Sequence, residues 1–229
     1  MESSNNNQQA VIIEPRSRHK ASVIWLHGLG ADGHDFEPVI PALQLPDNHG
    51  IRFIFPNAPQ RPVTINGGMV MRAWYDIRDM DLRKREDVEG IEGSRKILES
   101  FIQREKEAGI PSENILLAGF SQGGVVILYT GLRYPEQLAG LMALSTYLAL
   151  PDKLASEANP ANSTTPVFMA HGTMDPVIPI QQGKNSADQL KQAGYAVEWH
   201  EYPMQHAVSL EEIEDISRWL VESLKLNSA

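Results

Sequence analysis

The chain has 229 residues, 42% of them hydrophobic and 21% charged, with a formal net charge of −9. That length suits one α/β domain. Its densest basic run, Arg83-Lys84-Arg85, is hemmed in by Asp79, Asp81, Glu86 and Asp87, so no stripe exists to neutralise phosphates and nucleic acid is excluded as a partner. The lack of cysteine excludes disulfides, thiolate catalysis, cysteine metal ligands and a cysteine-linked lipid anchor.

Residues 1–10 are polar, without the basic start and apolar stretch of a signal peptide, and are expected to form a disordered tail ahead of a single domain over 11–229. No run approaches the ~18 apolar residues of a membrane span. The expectation is a soluble, cytoplasmic protein.

Short β-branched apolar runs at 11–14, 22–26, 52–55, 115–120, 141–145, 167–170 and 197–202 predict strands. Amphipathic stretches lie between them. One covers 87–107, with Val88, Ile91, Leu98, Phe101 and Ile102 apolar and with Gly109 and Pro111 following. The last helix opens on a capping box, Ser209 with Glu212, and carries Leu210, Ile213, Ile216, Leu220 and Leu224 on one face. The segment 151–166, rich in Ala, Ser, Asn, Thr and Pro, reads as a surface excursion too short for a lid domain. Strands alternating with helices predict a mostly parallel central sheet covered on both faces.

The most informative segment is Gly119-Phe120-Ser121-Gln122-Gly123, a G-x-S-x-G sequence with a strand before it and a helix after it. A serine on such a tight turn has strained backbone angles, and its neighbours two residues away have no room for side chains. The turn exposes the hydroxyl at a helix N-terminus, where free N–H groups favour developing negative charge. Ser121 is therefore the expected nucleophile.

A serine hydroxyl needs a base. In a fold with this elbow the partners follow in the order serine, acid, histidine. Three histidines follow Ser121. His200 lies within a strand and His171 ends one. His206 sits on a loop, in Pro203-Met204-Gln205-His206-Ala207, and is the one free to approach the serine. Asp175, on the loop after the strand at 167–170, is the expected orienting acid.

A tetrahedral oxyanion needs N–H donors. Gln122, following the nucleophile, supplies one, and Leu29 in His27-Gly28-Leu29-Gly30 is the best candidate for the other. The same loop holds a G-x-G-x-x-G pattern through Gly33, the mark of a dinucleotide site in a nicotinamide oxidoreductase. Against that rival stand Pro38 and Pro41, where the phosphate-binding helix should run unbroken, and the absence of an acidic residue at Phe55-Pro56-Asn57-Ala58. No cofactor is expected. Nor is a metal, since no His-Glu-x-x-His sequence occurs.

These segments, with Arg72-Ala73-Trp74-Tyr75-Asp76-Ile77, His171-Gly172-Thr173-Met174-Asp175-Pro176-Val177 and Met204-Gln205-His206, resemble the phospholipase/carboxylesterase family of α/β-hydrolases from about residue 22 onward. The resemblance implies cofactor-free hydrolysis of esters or thioesters through an acyl-enzyme, with Ser121, Asp175 and His206 as triad and Leu29 and Gln122 as oxyanion donors. It also implies that 63–74 lies over the acyl site, so that Met69, Val70, Met71 and Trp74 line a groove; the alternative is that they simply pack in the core or the loop. Tyr147, counted with them as a substrate-binding residue, stands where family members often carry Trp, which leaves acyl-length preference open.

Membrane-acting thioesterases of the family can carry a lipid-modified N-terminal cysteine, and this chain has none. The reading therefore leans to a soluble, bacterial-type carboxylesterase acting on small or lipid-like acyl esters, thioesters and lysophospholipids. An acyl-protein thioesterase acting on acylated proteins is the alternative, and a non-catalytic binder on a hydrolase scaffold is the alternative of another class. A monomer or weak homodimer without a stable membrane anchor is expected.

Overall fold

The computed structural model describes residues 10–79 and 84–226. Of the expected tail, residues 1–9 lie outside the described residues, as do Asp81 and Arg83 of the charged run. In chain order the strands are β1 (Ala10–Ile13), β2 (Ala21–Leu26), β3 (Ile51–Pro56), β4 (Gln60–Val63), β5 (Met69–Arg72), β6 (Ile115–Phe120), β7 (Gly140–Leu144), β8 (Val167–Gly172) and β9 (Val197–Tyr202). The helices are α1 (Val39–Ala42), α2 (Val88–Glu107), α3 (Gln122–Gly131), α4 (Leu154–Glu157), α5 (Ile180–Gln192) and α6 (Leu210–Ser223).

Seven strands form one sheet in the order β1-β3-β2-β6-β7-β8-β9. Every neighbouring pair is parallel except β1 with β3 at the edge. This is the α/β-hydrolase architecture expected from the sequence. Every residue of β2, β7 and β8 is buried, as a parallel sheet covered on both faces requires. Alternate residues feed two cores. Ile24, Leu26, Ile115 and Leu117 pack with α2, α3 and α5, while Val23, Trp25, Leu116 and Ala118 pack with α6 and α1.

The seven expected strands occur, with ends shifted by at most two residues. α2 is capped by Asp87, whose carboxylate accepts from Gly90 N–H at 3.2 Å. The capping box of α6 is half formed. Ser209 Oγ accepts from Glu212 N–H at 3.2 Å, but neither Glu212 carboxylate oxygen has a hydrogen-bond partner. The excursion at 151–166 holds α4 and is pinned by the buried Asn162, which bonds Leu138, Tyr134 and Glu136.

The β4–β5 hairpin went unforeseen; it pairs Gln60 with Arg72 and Val63 with Met69. Among the described residues no helix is long and apolar enough to cross a membrane.

The sheet order places the site. From β2 the chain winds outward to β3 and then returns to β6 on the other side of β2, so the β2–β6 pair is the topological switch point. Loops leaving the carboxyl ends of such a pair splay apart and open a crevice. The loop carrying Leu29 leaves β2, and Ser121 leaves β6.

Candidate active site

Ser121 sits between β6 and α3 with φ 54° and ψ −118°, a conformation that costs about 1–3 kcal/mol for a residue other than glycine. Two hydrogen bonds hold it there: Ser121 N–H to Leu144 O at 2.8 Å and Thr146 Oγ–H to Ser121 O at 2.7 Å. The elbow glycines are needed for close approach. A Cβ on Gly119 would meet the Gly123 backbone at 2.5 Å, and one on Gly123 would meet Leu26 O at 2.4 Å.

His206 Nε2 lies 2.9 Å from Ser121 Oγ, and His206 Nδ1 lies 2.6 Å from Asp175 Oδ2. Asp175 Oδ1 accepts from the N–H groups of Val177 at 2.8 Å and Ile178 at 2.9 Å. Burial pushes this carboxyl up, but hydrogen bonds from His171, His206, Ile178 and Val177 outweigh it and hold Asp175 well below the usual carboxylate range. Held at both oxygens, the carboxylate is placed to orient the His206 ring. The two loops are also tied by backbone bonds, Thr173 N–H to Tyr202 O at 2.8 Å and Met174 N–H to Met204 O at 3.0 Å. His200, set aside as a base, pairs instead with Glu198 at 2.7 Å.

The β2 loop abuts the nucleophile: a Cβ on Gly28 would lie 3.5 Å from Ser121 Cβ. Gly30 N–H donates to Arg72 O at 2.9 Å and Ala31 N–H approaches Gly28 O at 3.4 Å. Among the described residues, the N–H groups of Leu29 and Gln122 take no partner. Beyond Gly33 the chain meets only the four-residue α1, and not the long helix of a dinucleotide site.

The phospholipase/carboxylesterase family model matches residues 7–224. Acyl-protein thioesterase 1 of Yarrowia lipolytica is 43% identical over 226 residues, covering 94% of this chain and 97% of the relative. The crystal structure of Arabidopsis thaliana SOBER1 superposes with a TM-score of 0.84 at 31% identity, covering 90% of this chain and 99% of that one. That of Zea mays acyl-protein thioesterase 2 does so with a TM-score of 0.84 at 29% identity, covering 94% and 99%. The chain belongs to the phospholipase/carboxylesterase family. It is a hydrolase of the kind that cleaves esters and thioesters.

Two of the residues expected to line a groove do not. Trp74 has no accessible surface: its indole N–H donates to His27 O at 2.9 Å, and its backbone N–H donates to Gln122 Oε1 at 2.8 Å. Tyr147 is buried with its hydroxyl 3.3 Å from that of Tyr75. Both aromatics lie beneath the surface and brace it. Met69 and Val70 are open to solvent, at 64% and 62% exposure, on the β4–β5 hairpin. Met71 is half-buried, its sulfur 3.8 Å from where a Cβ on Gly30 would stand.

Other residues went unassigned in the sequence. Met174 and Val177, flanking Asp175 in the chain, are both exposed. His171, weighed and rejected as the base, is fully buried with Nε2 2.8 Å from Ile178 O and 3.4 Å from Asp175 Oδ2. Its place at the end of β8, four residues before Asp175 in His171-Gly172-Thr173-Met174-Asp175, was the available signal.

Proposed function

We propose that this protein is an acyl-protein thioesterase, which cleaves the thioester joining a fatty acyl group to a protein cysteine through an acyl-enzyme on Ser121. The observation that carries the reading is the continuous chain of contacts from Asp175 through His206 to Ser121 Oγ, 2.6 Å and then 2.9 Å. Similarity favours the leaving group, since the relative 43% identical to this chain is itself called an acyl-protein thioesterase. The lean toward a bacterial-type carboxylesterase gives way. It rested on a missing cysteine anchor, which bears on how an enzyme reaches a membrane and not on which bond it cleaves.

In this reading Ser121 Oγ attacks the thioester carbonyl carbon as its proton passes to His206 Nε2. The oxyanion takes hydrogen bonds from Leu29 and Gln122 N–H. The C–S bond breaks, the thiol leaves with the proton from His206, and acyl-Ser121 remains. Water then attacks the acyl carbon, giving its proton to His206, and the carboxylic acid departs as Ser121 regains its hydrogen. Asp175 stabilises the imidazolium throughout and stays ionised. No step calls on a cofactor. Met71, beside the Gly30 loop, and the exposed Met69, Val70, Met174 and Val177 are the apolar side chains assigned to the acyl chain in this reading. The unit acts as a single catalytic domain, as a monomer or a weak homodimer.

The test is hydrolysis of an S-palmitoyl peptide, followed by thiol release, beside a p-nitrophenyl ester. Both are expected to be cleaved, and Ser121→Ala is expected to lower both rates by about 10³-fold or more with the fold intact. Cleavage of the ester alone would return the protein to the carboxylesterases.

A further inference from the structure

We infer that His27 is a positioning residue for the oxyanion hole, its ring holding the Gly28–Leu29 peptide so that the Leu29 N–H faces the reacting carbonyl. The inference rests on the proposed role of Leu29 and goes one layer beneath it.

His27 is buried at the carboxyl end of β2. Ala58 N–H donates to His27 Nε2 at 3.0 Å. A nitrogen that accepts an N–H offers its lone pair, so the proton of the neutral ring is on Nδ1. Burial pushes the imidazole pKa down, which keeps the ring neutral. The Nδ1–H therefore donates, and its acceptor is Gly28 O at 2.6 Å. That carbonyl and the Leu29 N–H are opposite ends of one planar trans peptide. Fixing the carbonyl fixes the direction of the N–H.

The neighbours close off other arrangements. Ala31 N–H reaches the same carbonyl only at 3.4 Å, so His27 makes the shorter bond. Gly30 N–H is committed to Arg72 O at 2.9 Å, so of the two N–H groups that follow Gly28 only that of Leu29 is uncommitted. Trp74 holds the His27 backbone from below: its indole N–H donates to His27 O and the two rings pack at 5.3 Å. Trp74 in turn is bonded to the Gln122 side chain, so both proposed oxyanion residues hang on one buried network.

A histidine present only to fill the core would give this result no handedness. The two amide replacements separate the cases. Asn places its N–H₂ near the position of Nδ1 and keeps the bond to Gly28 O, while Gln reaches the position of Nε2 and keeps only the bond from Ala58. Wild-type turnover that Ser121→Ala abolishes secures the triad reading first. Against that baseline, His27→Gln is expected to lower kcat about 100-fold with KM changed less than about twofold, the size of one lost oxyanion donor. His27→Asn is expected to stay within about fivefold of wild type in kcat, with thermal stability lowered as in His27→Gln. Equal losses in the two variants, or an unchanged kcat in His27→Gln, would overturn the inference. A measurement on the wild-type protein needs no variant to fold: imidazole ¹⁵N NMR is expected to find the His27 proton on Nδ1, and a proton on Nε2 would overturn the inference.

Discussion

The imidazole of His171 occupies the space that a side chain at Gly183 would need: a Cβ added there would stand 2.4 Å from His171 Nδ1 and 3.0 Å from the Trp199 ring. α5 thus presses His171 against the loop that carries Asp175. Gly183→Ala is expected to push the ring toward Asp175, lowering stability by about 1–3 kcal/mol and kcat along with it. Gly93→Ala, on α2 with nothing within 4 Å of the new Cβ, is expected to leave activity alone and raise stability by about 0.5–1 kcal/mol. Thermal melts and steady-state kinetics on the pair check this, and equal effects at the two positions would contradict it.

Asp175→Asn keeps an oxygen for the Val177 and Ile178 N–H groups but presents an amide N–H₂ to His206 Nδ1, where a proton acceptor stood. The imidazole then carries its proton on Nε2 and cannot accept one from Ser121. A fall in kcat of about 10³–10⁴-fold is expected, with little change in KM. A loss of less than tenfold would remove Asp175 from the relay.

Glu212 is fully buried at the start of α6, and burial pushes its carboxyl up to about 8, with the nearby Ser209 backbone N–H, short of a good hydrogen bond, offsetting this in part. Because the folded chain holds this proton more tightly than the unfolded chain does, stability is full below the unfolded value of about 4.5 and is lost as pH rises toward 8. Across that window the loss is on the order of 3–5 kcal/mol. Glu212→Gln cannot ionise, so its melting temperature is expected to exceed that of wild type most at pH 8 and least at pH 5. Parallel curves for the two proteins would contradict the buried neutral carboxyl.

Met69→Asp with Val70→Asp puts charge on an exposed apolar hairpin without touching the core. If these side chains receive the acyl chain, kcat/KM for a palmitoyl thioester is expected to fall at least about tenfold while that for a butyryl thioester changes less than about twofold. Equal changes for both substrates would take the hairpin out of acyl binding.

The strands were legible because a sheet buried on both faces demands unbroken apolar runs, as in 22–26 and 115–120. The elbow was legible because close backbone contact restricts Gly119 and Gly123 to one residue type. The β4–β5 hairpin was not, since Gln60, Arg61 and Pro62 carry no alternation and the proline speaks against a strand. Trp74 and Tyr147 were open for another reason. An aromatic in an apolar segment has the same local sequence whether it lines a groove or braces the site from below, and tertiary packing alone decides. The partners of His27 and His171 were hidden likewise, because Ala58 lies 31 residues from His27 and Gly183 sits on a helix away from His171 in sequence.

The central claim is that Asp175 and His206 activate the Ser121 hydroxyl. It is tested most directly by treating the intact protein with a fluorophosphonate and mapping the adduct by peptide mass spectrometry. The expected result is a single adduct on the peptide containing Ser121, formed rapidly in wild type and absent in Ser121→Ala. A folded wild-type protein that stays unlabelled, or that carries the label on another residue, would contradict it.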